Sequence, residues 1–356
     1  MKKPHVLIIG TLLVLTFLLS ACATGSRVSG APGFAVSDDQ FFVSYGNAVY
    51  ALNTENGMVN WSFPEDAKGQ IMFFAPPLIS NGSLYVGDIG KNFSKINVTN
   101  GKLVWSFSEA KGYYIGQANE ANGMVYAPNN DGKLYALDTD GNLQWAFETG
   151  HFLWSQPQIG EDAIYLGSMD KFVYAISLQG EQLWATEMAG AIVGSPILSE
   201  DGSKLFVGSI GNDFLALNTT DGSIDWSFIA DGGIWSNALL TGETLNFADS
   251  LGNLYALDPL SGKEKQRFSL NEPVTGGLTA IPNGFALVTE AGTIEVFNED
   301  GTTRWSAKIS GKVFQAPAVN ENYLIVAAVP ENKDSNVVYA YNLATGAAVW
   351  STIPKK

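Results

Sequence analysis

The chain has 356 residues, a formal net charge of −15 and only 15% charged residues, while aromatics reach 12% and glycine numbers 38. A body this acidic repels phosphate backbones, which argues against nucleic-acid binding. One cysteine and two histidines exclude an internal disulfide and a multi-histidine or cysteine-based metal centre, and no cofactor is expected.

At the N-terminus, Lys2 and Lys3 precede an almost wholly apolar run from Val6 to Leu19, followed by Leu19-Ser20-Ala21-Cys22. The pattern resembles a bacterial lipoprotein signal, which is cut before a cysteine that then carries lipid. The expectation is a signal peptide over 1–21 and lipid of palmitate type on Cys22. A transmembrane helix is the alternative, but the apolar run is shorter than the roughly 18 residues read as a span. Residues 22–32 read as a tether. Its stretch from Ala23 to Pro32, small and polar, puts its ends on the order of 18 Å apart as a flexible chain. Loss of Lys2 and Lys3 leaves 18 basic against 35 acidic residues, a formal charge of −17. A body so charged avoids anionic headgroups, so the anchor rather than the surface holds it at the membrane. Ala23 after the cysteine resembles the pattern for outer-membrane delivery in diderm bacteria. The expected location is therefore the cell envelope, facing the periplasm where an outer membrane exists.

From residue 33 to 356 the sequence reads as a single domain of repeats. A glycine followed four residues later by tryptophan recurs as Gly57–Trp61, Gly101–Trp105, Gly141–Trp145, Gly180–Trp184, Gly222–Trp226, Gly301–Trp305 and Gly346–Trp350. Gly262 is an eighth member in which Gln266 stands where tryptophan is expected. Successive glycines are 44, 40, 39, 42, 40, 39 and 45 residues apart, a period matching one four-stranded propeller blade. In the third unit, Met124 to Ala127, Leu134 to Leu137 and Leu143 to Phe147 read as strands separated by Asn130-Asp131-Gly132 and Asp138-Thr139-Asp140-Gly141 turns. Segments such as Pro196-Ile197-Leu198 and Pro317-Ala318-Val319 supply the fourth strand. The fold expected is all-β, an eight-bladed β-propeller of four-stranded antiparallel blades. Seven blades remain open if the first unit merely closes the ring, but Phe34 to Tyr45 before Gly57 reads as a complete unit. The sixth unit, without its tryptophan, reads as a looser blade, and Pro330 to Asn336 as a surface insertion.

Strands such as Leu254-Tyr255-Ala256-Leu257-Asp258 and Val338-Tyr339-Ala340-Tyr341-Asn342, each followed by a turn and the glycine, resemble the repeat of quinoprotein-type (PQQ-like) propellers over about residues 34–354. With the lipoprotein signal and this length, the likeness is to the BamB family of propeller lipoproteins. That resemblance implies a non-catalytic protein-binding scaffold serving the machinery that inserts β-barrels into the outer membrane. Quinoprotein dehydrogenases resemble it less: many carry an adjacent cysteine pair, and this folded body has no cysteine. A degenerate quinoprotein is thus the weakest reading. No G-x-S-x-G elbow or H-E-x-x-H motif is present. Acidic stretches such as Ser199-Glu200-Asp201-Gly202 and Asn298-Glu299-Asp300-Gly301 occupy the hairpin position and lack calcium-loop spacing. His151 has no evident catalytic partner.

Two tryptophans fall outside the repeat position: Trp154 in His151-Phe152-Leu153-Trp154-Ser155-Gln156-Pro157, and Trp235 in Gly233-Ile234-Trp235-Ser236-Asn237. Both lie in links between blades. The equivalent links carry Phe73, Phe74, Tyr113, Tyr114, Val193 and Phe314, and the amides Gln117, Gln156, Asn237 and Gln315. Repeat symmetry predicts a ring of these side chains around one axial mouth. One reading is a binding face for a protein, or for a small molecule or sugar, because aromatic rings and amides combine contact area with directional bonding. The other is packing between blades. For the anchor, Cys22→Ser is expected to move the protein from the membrane to the soluble envelope fraction and to abolish incorporation of labelled palmitate; retention of both would refute lipidation at this residue.

Overall fold

The computed structural model describes residues 31–37, 39–66 and 71–355. The expected signal peptide, Cys22 and most of the tether lie outside the described residues. Among the described residues, thirty-two strands form eight sheets of four. Blade 1 consists of β1 (Gly33–Val36), β2 (Gln40–Tyr45), β3 (Ala48–Asn53) and β4 (Val59–Phe63). Blade 2 follows with β5 (Leu78–Ser80), β6 (Ser83–Gly87), β7 (Phe93–Asn97) and β8 (Leu103–Phe107), and blade 3 with β9 (Asn119–Ala121), β10 (Met124–Pro128), β11 (Lys133–Asp138) and β12 (Leu143–Glu148). Blade 4 has β13 (Gln158–Ile159), β14 (Ala163–Gly167), β15 (Phe172–Ser177) and β16 (Gln182–Glu187). Blade 5 has β17 (Ile197–Leu198), β18 (Lys204–Gly208), β19 (Asp213–Asn218) and β20 (Ile224–Ile229). Blade 6 has β21 (Leu239–Thr241), β22 (Thr244–Ala248), β23 (Asn253–Leu257) and β24 (Glu264–Ser269). Blade 7 has β25 (Leu278–Ile281), β26 (Gly284–Val288), β27 (Thr293–Asn298) and β28 (Thr303–Lys308), and blade 8 has β29 (Ala318–Val319), β30 (Tyr323–Ala327), β31 (Val338–Asn342) and β32 (Ala348–Thr352). The eight-bladed expectation holds, and the first unit is a full blade.

Within each blade consecutive strands pair antiparallel in chain order, the first innermost and the fourth outermost. The second strands carry the core: β6, β14 and β26 are buried at every position, because neighbouring blades cover both their faces. In every blade the register between the third and fourth strands shifts near the end of the third strand. Such a bulge increases local twist.

What joins blade to blade is the repeated tryptophan. Each indole lies against the turn glycine of the next blade, so closely that a Cβ on that glycine would fall 2.5–2.7 Å from a ring atom. The indole N–H donates to a backbone carbonyl of the same turn, from Trp61 to Val98 at 3.1 Å, Trp105 to Thr139 at 2.9 Å and Trp226 to Pro259 at 3.1 Å. The glycine is thus required twice, for its positive φ (70° at Gly57) and for the absence of a side chain. Among the described residues no strand is exchanged between the first and last blades. Closure of the ring falls to side chains: Phe34, Phe41 and Leu52 pack with Ile325, Val338 and Ala340, while Trp350 covers Gly57 and donates to the Thr54 carbonyl at 2.8 Å.

Blade 6 keeps its four strands and their register without the tryptophan. Arg267 supports it instead, lying over the Tyr255 ring at 4.6 Å and pairing with Glu264 and Asp231. Trp184 is 8% exposed whereas Gln266 is exposed to solvent. Trp184→Ala is expected to cost about 3–5 kcal/mol in urea unfolding and Gln266→Ala less than about 0.5 kcal/mol. Equal costs would refute the wedge as the main inter-blade tie.

Candidate functional site

The antiparallel order brings the turns between second and third strands to one axial end, together with the links entering each blade. Those links are built on a common pattern. A buried apolar residue anchors each one: Phe73, Tyr114, Leu153, Ile192, Ile234, Val274 and Val313. The next residue is half-buried and stands at the mouth: Phe74, Ile115, Trp154, Val193, Trp235, Thr275 and Phe314. The expectation that all the link aromatics share one face is therefore corrected at two positions. Phe73 is 3% exposed and packs edge-on to Phe63 at 6.3 Å, and Tyr114 is 1% exposed and packs on Phe93 at 5.3 Å. Burial alternates along both links, so Phe73 and Tyr114 are core while their neighbours Phe74 and Ile115 are half-buried. Gly87 makes room for Tyr114, since a Cβ there would lie 2.2 Å from it.

Acidic turns hold the links in place. Asp131 accepts from the Lys111 backbone N–H at 2.9 Å, Asp170 from that of Gly150 at 2.6 Å, Asp213 from that of Ala189 at 2.9 Å, and Asp249 from that of Gly232 at 2.9 Å. A tyrosine on the following strand donates to the same carboxylate in three of these turns, Tyr135 at 2.7 Å, Tyr174 at 2.8 Å and Tyr255 at 2.9 Å. Burial first, and then these phenol-to-carboxylate bonds among other contacts, push the tyrosine hydroxyls up, that of Tyr255 to about 12. Blade 7 reverses the polarity. There the acid Glu272 sits on the link and accepts from the Thr289 hydroxyl at 2.5 Å, the Thr293 hydroxyl at 2.6 Å and Lys308 Nζ at 3.1 Å. Much of the acidity on this face is thus structural and was not legible as such in the sequence, although the Asp-to-Tyr spacing of four in blades 3 and 4 was a usable signal.

The mouth divides into two arcs. Over blades 2 to 5 the amides lace neighbouring blades together: Gln117 Nε2 donates to the Pro77 carbonyl at 2.9 Å and Gln156 Nε2 to that of Ala118 at 3.1 Å, while the Gln156 backbone N–H donates to the Ser195 hydroxyl at 3.0 Å. Trp154 belongs to this arc, its indole N–H donating to Asn130 Oδ1 at 2.8 Å. Packing between blades accounts for these residues. Over blades 6 to 8 the same positions are less committed. Asn237 makes only a 3.4 Å contact to the Ala238 carbonyl, and the buried hydroxyls of Ser236 and Thr275 have no partner among the described residues. Gly277, at φ 94°, presses on Asn237, where a Cβ would lie 2.6 Å from Oδ1. Trp235, Phe314 and Gln315 are half-buried around this arc. His151 is exposed, with its ring 4.3 Å from that of Phe152, and no cluster of potential metal ligands occurs among the described residues.

Eight closed blades carrying the glycine-to-tryptophan repeat define a quinoprotein-type propeller with a polar, aromatic mouth. Residues 19–152, 169–265 and 250–355 match the family described as outer membrane protein assembly factor BamB, and the chain belongs to that family. Among its relatives is a protein named outer membrane protein assembly factor BamB from Nitrosomonas eutropha, 29% identical over 107 residues, which are 30% of this chain and 25% of that protein. Lupanine 17-hydroxylase [cytochrome c] of a Pseudomonas species is 39% identical over 83 residues, 22% of this chain and 12% of that protein. The matched parts thus span a quarter or less of either relative. The crystal structure of BamB from Moraxella catarrhalis superposes with a TM-score of 0.72 over 83% of this chain and 92% of that one, at 15% identity, a likeness of fold.

The Thr289 and Thr293 hydroxyls, with Lys308, hold the Glu272 carboxyl below its ordinary range. A lowered carboxyl stabilises the fold above its unfolded value and loses that contribution as pH falls through the folded one. Because the group is partly exposed, Glu272→Gln is expected to cost no more than about 1 kcal/mol at pH 7, the difference from wild type closing below about pH 4. A cost that persists unchanged at pH 3 would refute the charged interaction.

Proposed function

We propose that this chain is a lipid-anchored, non-catalytic scaffold that binds proteins in the cell envelope during assembly of outer-membrane β-barrels. In this reading residues 1–21 are the signal peptide, Cys22 carries the lipid, residues 22–32 are the tether and the propeller faces the periplasm. The observation that carries the proposal is the family match running through the first to the last blade, to a family described by its outer-membrane assembly role. The mouth supports it with half-buried aromatics on a rigid frame, which offer contact area at small entropic cost. Its less committed arc, around Trp235, Asn237 and Gln315, is the part of the face with bonding capacity to spare.

A second reading, a receptor for a small molecule or sugar, draws on the Ser236 and Thr275 hydroxyls, which no described protein group satisfies. Buried hydroxyls of this kind cost about 1–3 kcal/mol unless something bonds them. The degenerate quinoprotein reading draws only on a likeness to 12% of one hydroxylase.

Purification of the native lipidated protein from its own envelope in mild detergent is expected to recover a protein of the β-barrel assembly machinery. Trp235→Ala is expected to weaken that recovery at least tenfold without altering the melting temperature. Trp154→Ala, whose indole is already bonded within the blade, tests whether the whole ring or only one arc is used. A preparation without any stoichiometric partner would overturn the scaffold reading and favour the receptor.

A further inference from the structure

The ring contains eight slots between the outer strand of one blade and the turn glycine of the next, and seven are filled by tryptophan. In the eighth, between blades 6 and 7, Phe268 covers the glycine, and a cavity of about 200 Å³ remains beside it. It lies beside Gly301, the turn glycine of blade 7, which keeps the positive φ of its counterparts at 79°. Two substitutions create it. Gln266 replaces the tryptophan; it is exposed and only borders the cavity, its Oε1 3.5 Å from where a Cβ on Gly301 would stand. Two strands inward in the same register, Asn246 is paired through Ala256 with Gln266. In five other blades that inner position is an aromatic ring facing the tryptophan, at centroid distances of 5.7–6.0 Å (Phe42, Tyr85, Tyr126, Tyr165 and Phe206). Phe268 leans over Gly301 in place of the missing ring, yet the cavity persists between it, Phe285 and Asn246.

The slot retains the bonding end that an indole uses. In the turns of blades 3 and 4, which have the same length, the carbonyl two residues before the glycine accepts the indole N–H, Thr139 at 2.9 Å and Leu178 at 3.1 Å. The corresponding carbonyl is that of Glu299, and no donor among the described residues reaches it. Asn246 spends its amide N–H groups on the Thr241 hydroxyl and the Thr244 carbonyl, which leaves its oxygen as a second acceptor. We propose that this slot binds a planar aromatic ring bearing one N–H donor, of the indole class, supplied from outside the chain. A cavity on the order of 150 Å³ already accepts benzene, so the size suits a single fused ring. Asp300, whose carboxyl the Thr302 hydrogen bonds hold below its ordinary range, and Glu299 line the cavity and outnumber its one lining cation, Lys265, which is spent on the Glu243 carbonyl at 2.7 Å. Their charge disfavours a free carboxylate on the ligand, so neutral indole or a tryptophan side chain within a polypeptide fits better than the free amino acid. The proposal does not depend on the scaffold role, and its failure leaves that role untouched.

The test is 19F NMR of 5-fluoroindole with the full lipidated protein in detergent, compared across variants so that partition into micelles cancels. Wild type is expected to broaden and shift the signal, and Gln266→Trp, which fills the slot from within, to weaken binding at least tenfold. Asn246→Phe restores the aromatic of five other blades and is expected to do the same, so that the test survives if either variant fails to fold. At a tenfold excess over Kd, indole is expected to raise the wild-type melting midpoint by about 2 °C and to leave Gln266→Trp unchanged. Displacement of fluoroindole by N-acetyltryptophanamide assigns the slot to a partner's tryptophan side chain; binding of indole without such displacement assigns it to a small aromatic. No binding beyond that of Gln266→Trp, or undiminished binding in both variants, overturns the proposal.

Discussion

A tryptophan ring laid on a glycine of the next blade is the contact on which the ring depends. Sheets that pack face to face bury apolar surface without directional preference, and by themselves would allow blades to slide or tilt. The wedge adds direction. An indole fits only where the facing turn has no Cβ, and its N–H reaches only one carbonyl of that turn, as Trp184 reaches Thr219 at 3.0 Å. Seven repetitions set the angle between neighbours, and the last of them, Trp350 on Gly57, joins the first and last blades, which exchange no strand among the described residues.

With the blades so fixed at their rim, the axial end is organised by a different chemistry. Carboxylates in the turns of blades 3 to 6 bind backbone N–H groups of the links, and in blade 7 the link carboxylate Glu272 instead binds the hydroxyls of Thr289 and Thr293. Charged acceptors make the stronger hydrogen bonds to the backbone, and here they hold loops that would otherwise be the mobile part of the molecule. The consequence is a rigid mouth whose half-buried residues are presented rather than flexible. One arc uses its amides to bond blade to blade and the other leaves them with capacity, so a face that repeat symmetry suggests to be uniform is chemically lopsided.

The loss of a single wedge shows how much redundancy the ring has. Blade 6 keeps its pairing because Arg267 covers Tyr255 and binds two carboxylates, an exposed substitute that ties the strand to its own blade and to the link before it. It does not fill the space against the next blade. The result is a frame that remains closed, with Phe268 over the glycine that a tryptophan covers in the seven other joints and a cavity left beside it.

Period and residue type were sufficient to read the blade number, the strand order and the membership of Gly262 in the repeat, because a turn glycine and a tryptophan four residues on are local requirements that recur whatever the neighbours do. The expectation of a lipoprotein signal likewise rests on a few adjacent residues. Tertiary structure alone decided which link residues face outward. Phe73 and Tyr114 differ from Phe74 and Ile115 only by one position along a link, and the side of the backbone that meets the neighbouring blade settles which is core. It also decided the fate of the amides and the acids, since Gln117 and Pro77, or Asp249 and Gly232, are partners only once the sheets are stacked. The open joint beside Gly301 belongs to the same class: Gln266 and Asn246 are 20 residues apart in the sequence, and only the pairing of three strands places both absences on one cavity.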